Sequence, residues 1–386
     1  MKVAPFALEQ WMDQYELGAR YNLAETCVKS LTVGELLALA GASLDGLLDL
    51  TLNYGDIPGS PALRRLLAGL YRDHDPEGIV VMNGAIGANF LLFYTLVSPG
   101  DTVISVFPAY EQLYRVAESF GAQVKRLPLR PEAGYQPDLD ELAGLIDRRT
   151  RLIVINNPHN PTGALIEEAT LARLCQMAED CGAYLLCDEA YRGLYIHEGL
   201  SVPSAVDLSP RAIATGSFAK PFSLAGLRLG WLAAPPEVIA DCLLHRDYTT
   251  ISCGRIDDHL AVLALSHLDR LMARNLALLR RNFRIVDDWV AEQPLVSYVP
   301  PRAGTTAFLH YDLPVPSRRL CLDLVERYGT LLAPGECFER EGYLRLGFAC
   351  DTEMLRTGQG HLGALLASYR NSSGDFNRAI SPNFAK

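Results

Sequence analysis

Residues 216–231 read Gly-Ser-Phe-Ala-Lys-Pro-Phe-Ser-Leu-Ala-Gly-Leu-Arg-Leu-Gly-Trp, a mostly small and apolar stretch that contains one lysine and one arginine. Lys220 stands among small and apolar residues, with Ser217 three positions before it and Arg228 eight positions after it. A lysine in a largely uncharged, partly buried environment has its ammonium form disfavoured, which makes the neutral amine available for a Schiff base. A nearby hydroxyl and guanidinium can bind a phosphate. The alternative is a loop between strands with a solvated lysine.

The composition indicates a globular protein that acts on small molecules. The chain has 386 residues, of which 49% are hydrophobic and 21% charged, so it is long enough for two domains. The formal net charge of −10 argues against nucleic acid or an anionic membrane as the main partner, because both require basic surfaces.

No stretch is typical of a signal peptide or a membrane span, so the sequence predicts a cytoplasmic protein. The nine cysteines are odd in number and contain no Cys-x-x-Cys pair. This pattern favours reduced, mostly buried thiols over a disulfide framework, and it predicts no metal site.

From Ile79 onward, short apolar strands alternate with helices. The strand at 79–82 is followed by small residues, including Ala85 and Ile86, that open an apolar helix. Free backbone N–H groups at such a helix start can bind phosphate, although a tight strand-to-helix turn is the alternative explanation. Tyr110 follows the next strand, at 102–106, and the carboxyl ends of parallel strands are where open sheets bind ligands.

Two later strands also end in polar residues. The loop at 156–163 contains two X-Pro steps, which would present the Asn160 amide rigidly, although Asn-Pro is also common turn chemistry. The strand at 184–187 leads into Asp188 and Glu189. Because side chains alternate along a strand, only one of these carboxylates can face a ligand.

Taken together, these motifs resemble the fold type I pyridoxal-phosphate enzymes of the class I/II aminotransferase family. The resemblance is carried by Asn-Pro-x-Gly from Asn160, Asp-x-x-Tyr from Asp188 and Ser-x-x-Lys from Ser217, with Arg228 eight residues after the lysine. It implies an α/β fold with a large domain, built on a mainly parallel seven-stranded sheet between helices, and a smaller α+β domain. It also implies a homodimer with shared active sites. The expected division is an N-terminal arm at 1–45 that also forms part of the small domain, a large domain at 46–280, a C-terminal small domain at 281–370 and a flexible tail at 371–386.

The resemblance also implies residue roles. Lys220 would form the internal aldimine with pyridoxal 5'-phosphate and then act as the catalytic base. Asp188 would pair with the pyridine nitrogen, and Tyr110 would stack on the ring. The remaining implied contacts are Asn160 and Tyr191 to the phenolic oxygen, Ala85, Ile86, Ser217 and Arg228 to the phosphate, Tyr54 to the phosphate of the neighbouring subunit, and Arg345 to the substrate α-carboxylate. Asn160 is also expected to contact the substrate.

The likeness is closest to capreomycidine synthase-like aminotransferases, through the N-terminal arm and residues 246–252. Tyr54 departs from the expected synthase pattern and follows the ordinary aminotransferase one. The first interpretation is therefore an aminotransferase acting on an L-amino acid and a 2-oxo acid. The alternative is a cyclase or β/γ-eliminating lyase that uses the same cofactor on an arginine-derived amino acid. A third interpretation, a DNA-binding regulator, is disfavoured because no DNA-binding domain fits before Tyr54 in this acidic chain.

Substrate choice depends on the residues that face the distal side chain. No arginine stands at Tyr248 or Thr249, where dicarboxylate enzymes of this kind place one for a second carboxylate. The sequence therefore predicts that the distal group is not primarily a carboxylate. Glu25, in the arm, is a candidate to bind a cationic or polar side chain.

Overall fold

The computed structural model describes residues 2–379, and its secondary structure alternates between helices and strands. The helices are α1 (Ala7–Tyr15), α2 (Val33–Ala40), α3 (Asp45–Leu48), α4 (Pro61–Ala68), α5 (Gly84–Leu96), α6 (Gln112–Ser119), α7 (Leu139–Leu145), α8 (Glu168–Asp180), α9 (Pro236–Arg246), α10 (Arg255–Ser266), α11 (Leu268–Glu292), α12 (Ser317–Tyr328) and α13 (Thr352–Ala379). The strands are β1 (Tyr21–Asn22), β2 (Ile79–Met82), β3 (Thr102–Phe107), β4 (Gln123–Pro128), β5 (Thr150–Asn156), β6 (Tyr184–Asp188), β7 (Ala212–Ser217), β8 (Gly230–Ala233), β9 (Val296–Ser297), β10 (Thr306–Tyr311), β11 (Thr330–Leu331), β12 (Ala333–Pro334) and β13 (Tyr343–Gly347).

A seven-stranded sheet forms the centre of the molecule, in the order β2-β8-β7-β6-β5-β3-β4. Only β8 runs against the other strands of this sheet. Strands β2, β3, β6, β7 and β8 are buried along their whole length, which explains their mainly apolar and small residues. The mainly parallel sheet expected from the sequence is confirmed.

The two ends of the chain meet in a second unit. A four-stranded antiparallel sheet has the order β12-β13-β10-β9, and β1 of the N-terminal arm pairs in parallel with β11. The indole N–H of Trp11, fully buried, donates to the carbonyl of Leu332 at 2.9 Å. The arm is thus held by the C-terminal part of the chain, while the domain limits given above stay a prediction.

Local sequence signals account for the start of α4. The Ser60 hydroxyl accepts from the Leu63 N–H at 3.2 Å, and Pro61 occupies the first helical position, where its missing N–H costs nothing. Ser60 also donates to Asp258 of α10 at 2.5 Å, which ties α4 to a helix far along the chain.

Two expectations about helices differ from the structure. The sequence predicts a single helix from about Asp257 to Glu292, but in the structure α10 ends at Ser266 and α11 begins at Leu268, with His267 in a non-helical conformation. Because α10 packs on α4 and α2 whereas α11 packs on α13, tertiary contacts determine this break. The tail expected at 371–386 also begins inside α13, which continues to Ala379. Its remaining residues, 380–386, lie outside the described part of the chain.

Candidate active site

A cavity of about 260 Å³ lies at the carboxyl ends of β5, β6 and β7, next to the start of α5. These ends share one edge of the sheet because the three strands are parallel. The structure brings all the predicted site residues except Tyr54 into the lining of this cavity: Glu25, Ala85, Ile86, Tyr110, Asn160, Asp188, Tyr191, Ser217, Lys220, Arg228 and Arg345.

Lys220 follows the end of β7 and meets the N-terminal arm. Its Nζ donates to the Thr26 hydroxyl at 2.7 Å and to Cys27 Sγ at 3.3 Å, and it lies 3.6 Å from Glu25 Oε1. The same Glu25 oxygen accepts from the backbone N–H groups of Thr26 and Cys27 at 2.6 and 2.8 Å. The arm therefore surrounds the lysine amine with a hydroxyl, a thiol and a carboxylate.

This environment corrects the expectation that the Lys220 ammonium is disfavoured. Burial alone would lower the pKa of Lys220, but Cys27, Tyr191 and Glu25 more than offset it, and the pKa lies well above its ordinary value. Burial raises the pKa of Glu25, but Lys220 and the hydrogen bonds with Cys27 and Thr26 outweigh it and bring the pKa to about 2. In the protein alone, Lys220 and Glu25 are thus an ion pair.

Asp188 is the last residue of β6, and its side chain is buried at the base of the cavity. Its Oδ2 accepts from Asn89 Nδ2 at 2.8 Å and its Oδ1 accepts from the Ala190 N–H at 3.0 Å. Burial raises the pKa of Asp188, against these two hydrogen bonds and the charge of Lys220. The neighbouring Glu189 points away and accepts from Ser204 at 2.7 Å, which confirms that only one of the pair faces the cavity.

Asn89 was not identified from the sequence. It is buried inside α5, and its orientation is set by Thr215, which donates to Asn89 Oδ1 at 2.9 Å and leaves the NH₂ group facing Asp188. The only available signal was a single amide in an otherwise apolar helix segment, since such a buried polar group needs partners. Gln112, which also lines the cavity, donates to the Ile86 carbonyl at 2.6 Å and was likewise missed.

The start of α5 forms a cup suited to a phosphate. The first turn of α5 has no side-chain cap, so its N–H groups are available, and Ala85 and Ile86 line the cavity. A Cβ at Gly230 would lie 2.4 Å from the Ala85 nitrogen, so this close approach of β8 to α5 requires glycine. Ser217 and Arg228 line the same region, and Arg228 Nη1 donates to the Ala225 carbonyl at 3.0 Å.

Arg345, on β13, is only 3% exposed and reaches the opposite side of the cavity. Its Nη1 donates to Asn160 Oδ1 at 3.2 Å and its Nη2 to the Ala24 carbonyl at 2.8 Å, while its buried Nε has no hydrogen-bond partner. A buried guanidinium with a free N–H is an incomplete site, and a carboxylate is the group that best completes it.

Tyr110 and Tyr191 complete the walls. The Tyr110 hydroxyl donates to Glu9 Oε1 of α1 at 2.6 Å, and its ring packs on Phe6 with centroids 4.7 Å apart. Tyr191 is buried and interacts with Thr26 and with the charges of Lys220 and Arg345. These contacts hold both rings against the arm that also holds Lys220.

Tyr54 lies outside this cavity and is 81% exposed. Other large hydrophobic side chains are exposed as well, among them Ile86, Phe90, Tyr94 and Tyr248. The role implied for Tyr54, in a site of a neighbouring subunit, stays a prediction.

The cavity fits the cofactor that the resemblance implies. The ordered set of an amine, a buried carboxylate and a phosphate cup corresponds to the aldehyde, the ring nitrogen and the phosphate of pyridoxal 5'-phosphate. The residues described contain no cluster of side chains suited to a metal ion, and none of the described helices is both long and apolar enough to cross a membrane. All nine cysteines lie in the described part of the chain and are free thiols.

Comparison with known proteins agrees with the fold and with the implied cofactor. The family described as aminotransferase class I and II matches residues 36–362. Capreomycidine synthase of Streptomyces vinaceus is 34% identical, covering 91% of each chain, and arginine–pyruvate transaminase of Pseudomonas aeruginosa is 30% identical, covering 92% of this chain and 94% of its own. The crystal structure of a PLP-dependent aminotransferase from Streptococcus suis superimposes with a TM-score of 0.92 at 42% identity, covering 96% of this chain and 99% of the other.

Proposed function

The chain belongs to the aminotransferase class I and II family, whose cofactor is pyridoxal 5'-phosphate, and we propose that it transfers the amino group of an L-amino acid to a 2-oxo acid. The observation that carries this proposal is the meeting of Lys220, Asp188 and Arg345 in one cavity, with Arg345 Nε free for a substrate carboxylate. These three side chains supply a base, a counter-ion and an anchor for an amino acid.

When bound, pyridoxal phosphate supplies an aldehyde for the amino group and a ring that withdraws electrons from the substrate α-carbon. Asp188 would hold a proton on the ring nitrogen, and Asn89 orients the carboxylate for that task. The start of α5, with Ser217 and Arg228, would bind the phosphate. Asn160 and Tyr191 would hydrogen-bond the phenolic oxygen, and Tyr110 would cover the ring.

Arg345 would orient the amino acid by binding its α-carboxylate through Nε and a neighbouring Nη. Fixing this group places the α-carbon opposite Lys220, whose amine would remove the α-proton and return it at the acceptor carbon. Glu25 and Thr26 keep the amine in position, because both lie within 3.6 Å of its nitrogen. Positioning of this kind is a large part of the rate that an enzyme achieves.

We also place two copies of the chain in the active form. The exposed Tyr54 and Tyr248 and the neighbouring apolar side chains of α5 support a self-associating surface that includes the mouth of the site. In this arrangement Tyr54 would reach the phosphate bound by the partner copy. The partners proposed for the protein are thus an amino acid, a 2-oxo acid and a second copy, and the cytoplasmic location stays a prediction.

A second candidate is a cyclase or a β/γ-eliminating lyase that uses the same cofactor on an arginine-derived amino acid. The similarity to capreomycidine synthase over most of the chain supports it. Removal of the α-proton by Lys220 is common to both reactions, so the cofactor residues are the same in either case. The two candidates differ in what happens to the substrate afterwards.

One experiment separates them. The cofactor-loaded protein is mixed with single amino acids, including arginine and hydroxyarginine, without any oxo acid, while the cofactor absorbance and the product mass are followed. An aminotransferase gives one oxo acid per site and then stops until an oxo acid is added. Continued turnover with release of ammonia or a cyclised product would refute the first proposal and support the second. The variant Lys220→Ala is the control and should give neither result.

A further inference from the structure

More carboxylates line the cavity than its own cations, the cofactor ring and an α-amino group can pair. We infer that the substrate carries a cationic side chain, a guanidinium or an ammonium, which is bound by the carboxylates of Glu9, Glu16 and Glu25. This inference rests on the proposed function, because it names the substrate class of the same site.

The three carboxylates reach the cavity from one continuous stretch of the N-terminal region. Glu9 lies on α1, Glu16 lies in the turn that follows α1, and Glu25 lies in the arm after β1. Glu9 accepts the Tyr110 hydroxyl at 2.6 Å, and Glu16 accepts the amide of Asn22 at 3.2 Å. Each of these two contacts involves Oε1, and neither Oε2 atom forms a hydrogen bond or an ion pair with another described residue. They retain capacity for a ligand.

The charges in the cavity can be paired one by one. Its cationic lining residues are Lys220, Arg228 and Arg345, and its acidic ones are Asp188 and the three glutamates. With cofactor and substrate bound, Arg228 would face the phosphate, Arg345 the α-carboxylate and Asp188 the ring nitrogen. Lys220 would act as the base, which requires its neutral amine. The three glutamates are then left without a cation.

Arg345 shows, independently of the glutamates, that this cavity is built for a ligand. Its guanidinium is buried, the residue lines the cavity, and its buried Nε has no hydrogen-bond partner. The charges of Glu25 and Glu9 act on this guanidinium, so the acidic side chains lie near it. A ligand with a carboxylate at one end and a cation at the other satisfies both features, whereas a second carboxylate would meet like charges.

Glu16 is the most informative of the three to change. Burial and the charges of Glu25 and Glu9 raise its pKa, although the hydrogen bond from Asn22 opposes them. Glu9 supports Tyr110 and Glu25 pairs with Lys220, so substitutions there would disturb residues assigned to the cofactor. Glu16→Gln keeps the shape and removes only the charge.

The test compares arginine with citrulline, which replaces the guanidinium by a neutral group of the same shape, and uses lysine to probe an ammonium. Single-turnover formation of the oxo acid is measured over a range of concentrations for the wild type, for Glu16→Gln and for Glu326→Gln. Glu326 is an exposed residue of α12 and serves as the matched control. Calorimetric titration of the cofactor-loaded protein with arginine and citrulline measures binding whichever reaction follows.

The wild type should prefer arginine or lysine to citrulline. Glu16→Gln should reduce the specificity for the cation by about ten- to a hundred-fold, since a hydrogen bond to a charged group is lost, mainly by raising KM. Its effect on citrulline should be small, and Glu326→Gln should match the wild type. Equal binding and use of arginine and citrulline would overturn the inference and leave the aminotransferase proposal intact. Cation-selective binding that leads to ammonia or a cyclised product would support the inference and refute the aminotransferase proposal.

Discussion

Removing the Asn89 carboxamide should impair the ring-facing role of Asp188 while leaving the amino-acid site intact. In the structure the Asn89 NH₂ group lies 2.8 Å from Asp188 Oδ2, and Thr215 fixes its orientation from the other side. Asn89→Ala removes this donor and leaves only the Ala190 N–H, at 3.0 Å, on the carboxylate. The carboxylate then becomes harder to keep ionised in a buried site.

The magnitude follows from the kind of hydrogen bond that is lost. A hydrogen bond to a charged group contributes about 1.5–3 kcal/mol. If that energy supports the ionised Asp188 in the transition state, the rate falls by about ten- to a hundred-fold, at 1.36 kcal/mol per tenfold. The sign of the pH effect is also determined. Loss of a donor to the carboxylate raises the pKa of Asp188 further, so the acid limb of the rate profile should move to higher pH.

The assay is the single-turnover absorbance change of the cofactor with a good amino-acid substrate, recorded as a function of pH. The matched control is Asn282→Ala, because Asn282 is also fully buried and donates to backbone carbonyls, at Phe348 and Cys350, outside the cavity. Asn282→Ala should lower thermal stability but leave the rate and its pH profile unchanged. An Asn89→Ala protein with a normal rate and a normal acid limb would refute the reasoning and reduce Asn89 to a packing residue.

Three further predictions concern the cup, the loop and the dimer. Gly230→Ala should lower the free energy of unfolding by about 1–3 kcal/mol and weaken cofactor binding, because the added Cβ meets backbone atoms. Gly226→Ala is the control and should change neither, because no atom lies within 4 Å of its Cβ. Thermal unfolding and cofactor titration measure the two effects. Burial lowers the pKa of His159 to about 4, from an ordinary value of 6.5. Because the unfolded chain then binds a proton that the folded protein does not, the free energy of unfolding should fall by about 3 kcal/mol as pH falls from 6.5 to 4. Denaturant unfolding of His159→Gln should show a smaller loss of stability in acid. If Tyr54 serves the partner's site, Tyr54→Phe should lower activity. Mixing it with the inactive Lys220→Ala protein should then raise activity through mixed dimers, and no gain on subunit exchange would contradict the shared site.

The fold and about half of the cavity lining could be predicted from the sequence, and the motifs at the strand ends explain much of this success. Asn160, Asp188 and Ser217 stand at or just after the ends of successive parallel strands, and such ends meet at one edge of a sheet whatever lies between them. Lys220 could be placed near that edge by its distance from Ser217. The role of Arg345 required the resemblance, because its strand belongs to the second sheet and carries no local signal.

Other features could not be predicted because they depend on contacts between distant parts of the chain. The break at His267 has no glycine or proline to mark it, and it arises where α10 and α11 pack on different helices. Asn89 reads as a packing residue until Asp188 and Thr215 are seen to lie against it. The charge state of Lys220 was predicted wrongly, since the flanking residues are uncharged and the opposing carboxylate comes from Glu25.

The order of strands, helices and polar strand ends is encoded locally, because backbone alternation, capping and side-chain volume act between near neighbours. That information was sufficient for the α/β architecture and for placing the predicted cofactor residues at one edge of the sheet. Electrostatic interactions in a buried site act through space and join residues that are distant in the sequence. The fold of the N-terminal arm onto the sheet therefore decides three features that the sequence did not reveal: the ion pair of Lys220 with Glu25, the unpartnered Nε of Arg345, and the place of Glu9 and Glu16 in the cavity lining.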